Sequence, residues 1–331
     1  MSTPYGRIAS VALASTLLSA AVLAQPNGDE REPDARGSRS VEELRQEPVT
    51  FDLDLPYADT GNPRHRLDLY LPKDRKREKL PVVVFLHGGA WLEGDKSVGA
   101  GPLMPLVRTG QYAGVSAEYR LSGEARWPAQ IHDCKAAIRW VRANAASYGL
   151  DADRIGVWGE SAGGHLALML GVSGDVPELE GDLGPNRGVS SRVAAVANFF
   201  GVSDLLAEIG QPSDIDRTRA DAPEALLIGG PLRENPEKAK AASPVAYVTP
   251  NDAPVLTVHG TEDPQVPYDQ GVRIDAALRK AGVPSYLVTI EGAGHGDFGT
   301  AADDRVKALF DEYLLGQRVE VSTATIDGRK R

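Results

Sequence analysis

Ile155-Gly156-Val157-Trp158-Gly159-Glu160-Ser161-Ala162-Gly163-Gly164-His165 is the stretch on which the reading of this chain turns. Its first half is apolar, as a strand buried on both faces would be, and its second half opens a helical pattern. Between them stands Gly-x-Ser-x-Gly. The pattern alone carries little weight, but its place between a strand and a helix makes it a nucleophile elbow. A turn that sharp forces the serine into a strained backbone, and Gly159 and Gly163 leave room for the crowded chain. Ser161 is therefore the candidate nucleophile. Its hydroxyl sits at a helix N-terminus, whose dipole favours developing negative charge. The plain alternative is an ordinary serine in a glycine-rich turn.

Working outward, Leu80-Pro81-Val82-Val83-Val84-Phe85-Leu86 is a second continuous apolar run, again typical of a strand covered on both faces. His65 to Leu71 alternates as a strand does. Further strands are expected over 113–118, 154–158, 193–200, 255–259 and 286–290. Helical patterns fall between them over 131–147, 162–170, 270–281 and 302–315. Strands alternating with helices imply an α/β fold, a mostly parallel central sheet with helices on both faces. The Pro-rich segment 203–249 breaks the rhythm and is expected as a small lid inserted over one end of the sheet. The folded domain is expected over 48–317, preceded by a flexible, charged tether at 25–47 and followed by a frayed tail at 318–331.

The N-terminus has the layout of an export signal. Arg7 precedes an uncharged run over 8–24 that closes on Val22-Leu23-Ala24, with Gln25-Pro26-Asn27-Gly28 beyond. Cleavage is expected after Ala24, which implies a secreted or periplasmic protein; an uncleaved anchor is the alternative. The run is short and weakly apolar for an anchor, and no stable membrane span is expected after cleavage. The single cysteine, Cys134, excludes an internal disulfide and reads as a small buried residue. With 36 basic against 46 acidic residues, a net charge of −10 and no basic stripe, nucleic acid is not an expected partner. The chain has no His-Glu-x-x-His, no Cys/His metal spacing and no phosphate-binding glycine motif. Neither a metal nor another cofactor is expected.

A serine nucleophile needs a base, and the base needs an orienting acid. In a strand-turn-helix elbow the chain order is Ser, then Asp or Glu, then His. Of the six histidines, only His259 and His295 follow Ser161 beyond the helix. His259 ends a strand and is expected to pack there, bonded to backbone. His295 lies in a glycine-rich loop, Glu291-Gly292-Ala293-Gly294-His295-Gly296-Asp297, which can carry an imidazole to the serine; it is the candidate base. Asp263, in Gly260-Thr261-Glu262-Asp263-Pro264, is the candidate acid. Asp204 competes with it, and Glu262 and Asp252 are weaker candidates.

The third element is His87-Gly88-Gly89-Ala90-Trp91, directly after the 80–86 run. A tetrahedral intermediate needs N–H groups aimed where its oxyanion forms, and losing one such donor costs roughly 3 kcal/mol. Glycines after this strand let the backbone turn its N–H groups inward, and the N–H of Ala162 is the partner donor. Trp91 has two readings, as a wall of the substrate pocket or as packing under the loop.

HGGAW, GESAGGH, the GTEDPQVP loop and GAGHGDF together resemble the hormone-sensitive-lipase-like α/β hydrolases. The closer likeness is to bacterial esterases related to bifunctional feruloyl and acetyl-xylan esterases, and it spans about residues 56–315. Tyr57-Ala58 with LDLYLP at 67–72 looks like that group's opening, and AAIRWVRANA at 136–145 with Tyr148-Gly149-Leu150-Asp151 looks like its approach to the elbow. The resemblance implies an α/β-hydrolase fold, a Ser161–Asp263–His295 triad and an oxyanion hole of Gly89, Ala90 and Ala162. It implies a carboxylesterase that works through an acyl-enzyme on small acyl or carbohydrate-linked acetyl or feruloyl esters. Where hormone-sensitive-lipase-like proteins carry a third glycine, this chain has Ala90-Trp91. HGG-x-W is also similar to kynurenine formamidase, so an aryl-formamide is the rival substrate. A catalytically dead hydrolase used for binding is the rival of another class, although no triad residue is missing.

Overall fold

The computed structural model describes residues 40–329 apart from Asp297. The first part of these residues forms α1 (Val41–Gln46), β1 (Val49–Pro56), β2 (Arg66–Pro72), β3 (Leu80–Leu86), α2 (Ala100–Val107), β4 (Ala113–Ala117), α3 (Ala129–Ala143) and α4 (Ala145–Tyr148). Next come β5 (Leu150–Glu160), α5 (Ala162–Val172), β6 (Ala195–Phe199), α6 (Pro223–Ile228) and α7 (Pro236–Ala241). The chain continues through β7 (Val255–Gly260), α8 (Asp269–Ala281), β8 (Ser285–Glu291), α9 (Thr300–Tyr313) and β9 (Ile326–Asp327).

The strands make one sheet in the order β1-β2-β4-β3-β5-β6-β7-β8-β9. β1 and β2 run antiparallel to their neighbours, and every pairing from β4 to β9 is parallel. β3 shows why both faces must be covered, since all seven of its residues are buried. Leu80, Val82, Val84 and Leu86 join one core with Ile131 and Ile138 of α3, Leu166 of α5 and Ile274 of α8. Val83 and Phe85 join the opposite core with Leu103 and Met104 of α2 and Val306 and Phe310 of α9. Each such side chain contributes roughly 1.5–3 kcal/mol on burial. Helix layers on both faces are what the apolar run required. Among the described residues, no helix is long and apolar enough to cross a membrane.

The expectations about the periphery fare differently. The signal segment 1–24 lies outside the described residues, as does the tether up to residue 39. The tether's end is a correction, because 41–46 is helical. Ser40 and Glu43 form a reciprocal capping box, and Leu44, 2% exposed, gives the short helix its packing. The frayed tail is also corrected. Val321 is buried in the second core, and β9 pairs in parallel with the edge of β8. The segment 203–249 carries α6 and α7, but Leu205, Leu227, Ile228, Leu232 and Ala239 sit in the same core as β3. That anchorage makes it part of the body of the fold.

Candidate active site

Parallel pairing puts the C-terminal ends of β3, β5, β7 and β8 along one edge of the sheet, and the loops that leave them build the site. β5 ends at Glu160 and α5 begins at Ala162, so Ser161 occupies the turn alone. Its backbone sits at φ 53° and ψ −119°. Such strain costs a non-glycine residue of order 1–3 kcal/mol and persists only where the surroundings enforce it. They do so here by two bonds, Ser161 N–H to Phe199 O at 2.9 Å and His165 N–H to Ser161 O at 3.0 Å. The flanking glycines are steric necessities. A Cβ on Gly159 would stand 2.1 Å from Gly163 O, and one on Gly163 2.1 Å from Leu86 O.

Three of the residues singled out from sequence come together. His295 Nε2 lies 3.0 Å from Ser161 Oγ, and His295 Nδ1 lies 2.8 Å from Asp263 Oδ2. A carboxylate can only accept, so Nδ1 carries the proton and Nε2 is left to accept from the Ser161 hydroxyl. Asp263 itself is 6% exposed. Its Oδ1 accepts the N–H groups of Gln265 and Val266 at 2.8 and 2.9 Å. Burial works against its charge, but hydrogen bonds from His259 and His295, with the charge those rings can carry, outweigh it. The carboxyl is held well below the usual carboxylate range. Phe200, itself at φ 41°, backs the His295 ring at 4.4 Å between centroids.

The competing acids are placed elsewhere. Asp204 Oδ1 accepts Ala207 N–H, Asp204 Oδ2 lies 3.6 Å from Arg273, and no hydrogen bond joins it to His295. Asp252 caps Thr249, and Glu262 meets Arg329. His259 does pack at its strand end, its Nε2–H donating to Val266 O at 2.9 Å.

The loop after β3 lies directly against the elbow, since a Cβ on Gly88 would be 3.3 Å from Ser161 Cβ. Gly89, Ala90 and Trp91 all have positive φ, at 110°, 53° and 59°. Gly89 O accepts the N–H groups of Leu92 and Glu93, which closes the loop on itself. Ala162 is the first residue of α5, where N–H groups have no partner within the helix. His87 braces the loop from below. Its ring stacks on Tyr119 at 4.3 Å, and its Nε2 lies 3.0 Å from Glu118, which also binds Arg64. Glu118 went unnoticed in the sequence because its role depends on β4 lying beside β3.

Trp91 requires a correction to its place as a pocket wall. The indole is 2% exposed, and its N–H donates to His165 Nδ1 at 3.3 Å. His165 Nε2–H in turn donates to Ala242 O at 2.7 Å. Buried indole and imidazole satisfy one another, so Trp91 packs under the loop.

The chain is similar to known protein families and solved structures. The BD-FAE family matches residues 67–278, and the TAP-like protein family matches residues 233–325. Esterase LipC of Mycobacterium tuberculosis is 32% identical over 71% of this chain and 57% of its own length, so the chain spans under two thirds of that relative. A truncated carbohydrate esterase from gut microbiota superposes with a TM-score of 0.76 at 33% identity, covering 84% of this chain and 100% of that one. A bifunctional GH43-CE protein of Bacteroides eggerthii gives a TM-score of 0.75 at 35% identity, over 80% of this chain and 35% of that one.

Proposed function

The chain belongs to the BD-FAE family and has the α/β-hydrolase fold, and on that premise we propose that it is a serine carboxylic-ester hydrolase working through an acyl-enzyme. The observation that carries this reading is the pair of bonds joining Ser161 to His295 and His295 to Asp263. In this reading Ser161 Oγ attacks the ester carbonyl carbon while its proton passes to His295 Nε2. Asp263 stabilises the imidazolium through Nδ1–H. The oxyanion is held by the N–H groups of Gly89, Ala90 and Ala162, and collapse expels the alcohol with the proton from His295. Water then repeats the sequence on the acyl-enzyme and frees the acid.

The substrates in this proposal are small acyl or carbohydrate-linked esters, acetyl or feruloyl, in line with the carbohydrate esterase from gut microbiota among the structural relatives. The proposed location is secreted or periplasmic, on the N-terminal pattern alone. The test is a fluorophosphonate probe followed by p-nitrophenyl esters, methyl ferulate, acetylated xylan and N-formylkynurenine. Labelling at Ser161 with turnover of the acetyl or feruloyl substrates is expected. Absence of label would identify a dead hydrolase, and preferential turnover of N-formylkynurenine would move the assignment to a formamidase.

A further inference from the structure

The acid loop is held from outside as well as by its own bonds. Residues 263–266 are stitched to the segment that follows β6, and the stitching centres on a buried cation. Arg217 is 3% exposed, between Glu208 at 1% and Glu224 at 2%. Its guanidinium lies 2.9 Å from Glu208 Oε1 and donates to Glu224 Oε1 at 3.2 Å. The same fork donates to Ser213 Oγ at 2.7 Å and, across to the other segment, to Gln265 O at 2.6 Å. Asp214 N–H donates to Pro264 O at 2.7 Å beside it. Gln265 is the residue whose own N–H holds Asp263 Oδ1. A planar, fully charged fork can satisfy this many acceptors in fixed directions, which a lysine cannot.

We propose that Arg217 is a positioning residue for the proposed esterase reaction: held by Glu208 and Glu224, it fixes the peptide of Gln265 and thereby aims the Asp263 carboxylate at His295. The inference rests on the esterase reading for its kinetic consequence and on geometry alone for its structural one. A shift of about 1 Å in a catalytic group can cost roughly 10²-fold in rate, so loosening Gln265 is enough to be felt at Ser161. Removing the cation alone would strand two buried carboxyl groups and threaten folding. Burial and the neighbouring Glu224 charge push the Glu208 carboxyl well above its usual range, so a neutral glutamine is a fair replacement there.

Two variants therefore test the proposal, Arg217→Lys and the neutral triple Arg217→Met/Glu208→Gln/Glu224→Gln, each checked for native circular dichroism. Against p-nitrophenyl acetate, kcat is expected to fall about 10- to 100-fold with KM within about threefold of wild type. In an Asp263→Asn background, Arg217→Lys should cost little more, because both changes act on one unit. The downfield proton resonance of His295 Nδ1–H, assigned by its loss in His295→Gln, should move or broaden in the Arg217 variants whether or not esters are turned over. Folded variants with native kcat and a native resonance would overturn the proposal, as would full additivity with Asp263→Asn. If the wild type hydrolyses no ester yet the resonance responds to Arg217, the esterase reading falls and the positioning role stands.

Discussion

The carboxylate of Asp263 is shared. Its Oδ2 lies 3.4 Å from His259 Nε2 as well as 2.8 Å from His295 Nδ1. His259 gives its Nε2–H to Val266 O and so shapes the acid loop, leaving His295 as the imidazole that reaches Ser161. Asp263→Asn should lower kcat by roughly 10⁴-fold, since an amide favours the wrong tautomer and cannot stabilise the imidazolium. Asp204→Asn, beside Arg273 and Ala207, should cost less than about threefold. Steady-state kinetics on the two folded variants decide between them, and the reverse ranking would move the acid to Asp204.

Ser161→Ala is expected to leave the melting temperature nearly unchanged, because the bonds that hold the elbow are made by backbone. Ester hydrolysis should fall by several orders of magnitude to a residual rate from binding and the oxyanion donors. Fluorophosphonate labelling should vanish with it. A purified variant that keeps more than a few per cent of activity would remove Ser161 from its assigned role.

Gly163→Ala tests the packing of the elbow separately from its chemistry. The added methyl would meet Leu86 O at 2.1 Å and His87 O at 2.5 Å, backbone atoms that cannot rotate away. Overpacking of this kind typically costs about 1–3 kcal/mol, and here the start of α5 must move. A lower melting temperature together with lost labelling is expected. Native values of both would show that α5 has more freedom than the contacts allow.

His165 makes stability depend on pH in a defined direction. Burial, opposed only by the bond to Ala242, pushes its imidazole down to about 4. Unfolded, a histidine titrates near 6.5, so between about 6.5 and 4 the unfolded chain binds a proton that the folded chain refuses. Stability attributable to this site is full above about 6.5, declines as pH falls, and levels off below about 4. The decline amounts to about 3 kcal/mol. His165→Gln, which can still accept from Trp91 and donate to Ala242, should remove that part of the slope. Denaturant melts of both proteins from pH 7 to pH 4 measure it, and parallel slopes would refute the assignment.

The linear pattern alone determined the layered architecture, because seven consecutive apolar residues in β3 leave a strand no face for water. Ser161 and His295 were legible for the same kind of reason, being tied to local signals: a strand-turn-helix junction and a glycine-rich loop after a strand. The acid was legible only as a ranking, since chain order admits both Asp263 and Asp204, and the fold brings Asp263 within hydrogen-bond distance of His295. α2 was missed because Gly101, Pro102 and Pro105 interrupt it, yet Leu103, Met104 and Val107 supply the burial that forms it. The tail looked frayed for lack of an apolar run, although two residues of β9 suffice once the β8 edge is beside them. Trp91, Glu118 and Arg217 belong to the tertiary structure entirely. Their partners lie 74, 31 and 48 positions away, at His165, His87 and Gln265. A side chain's hydrogen-bond partner across such separations is set by how the sheet and its loops close, which no local pattern encodes.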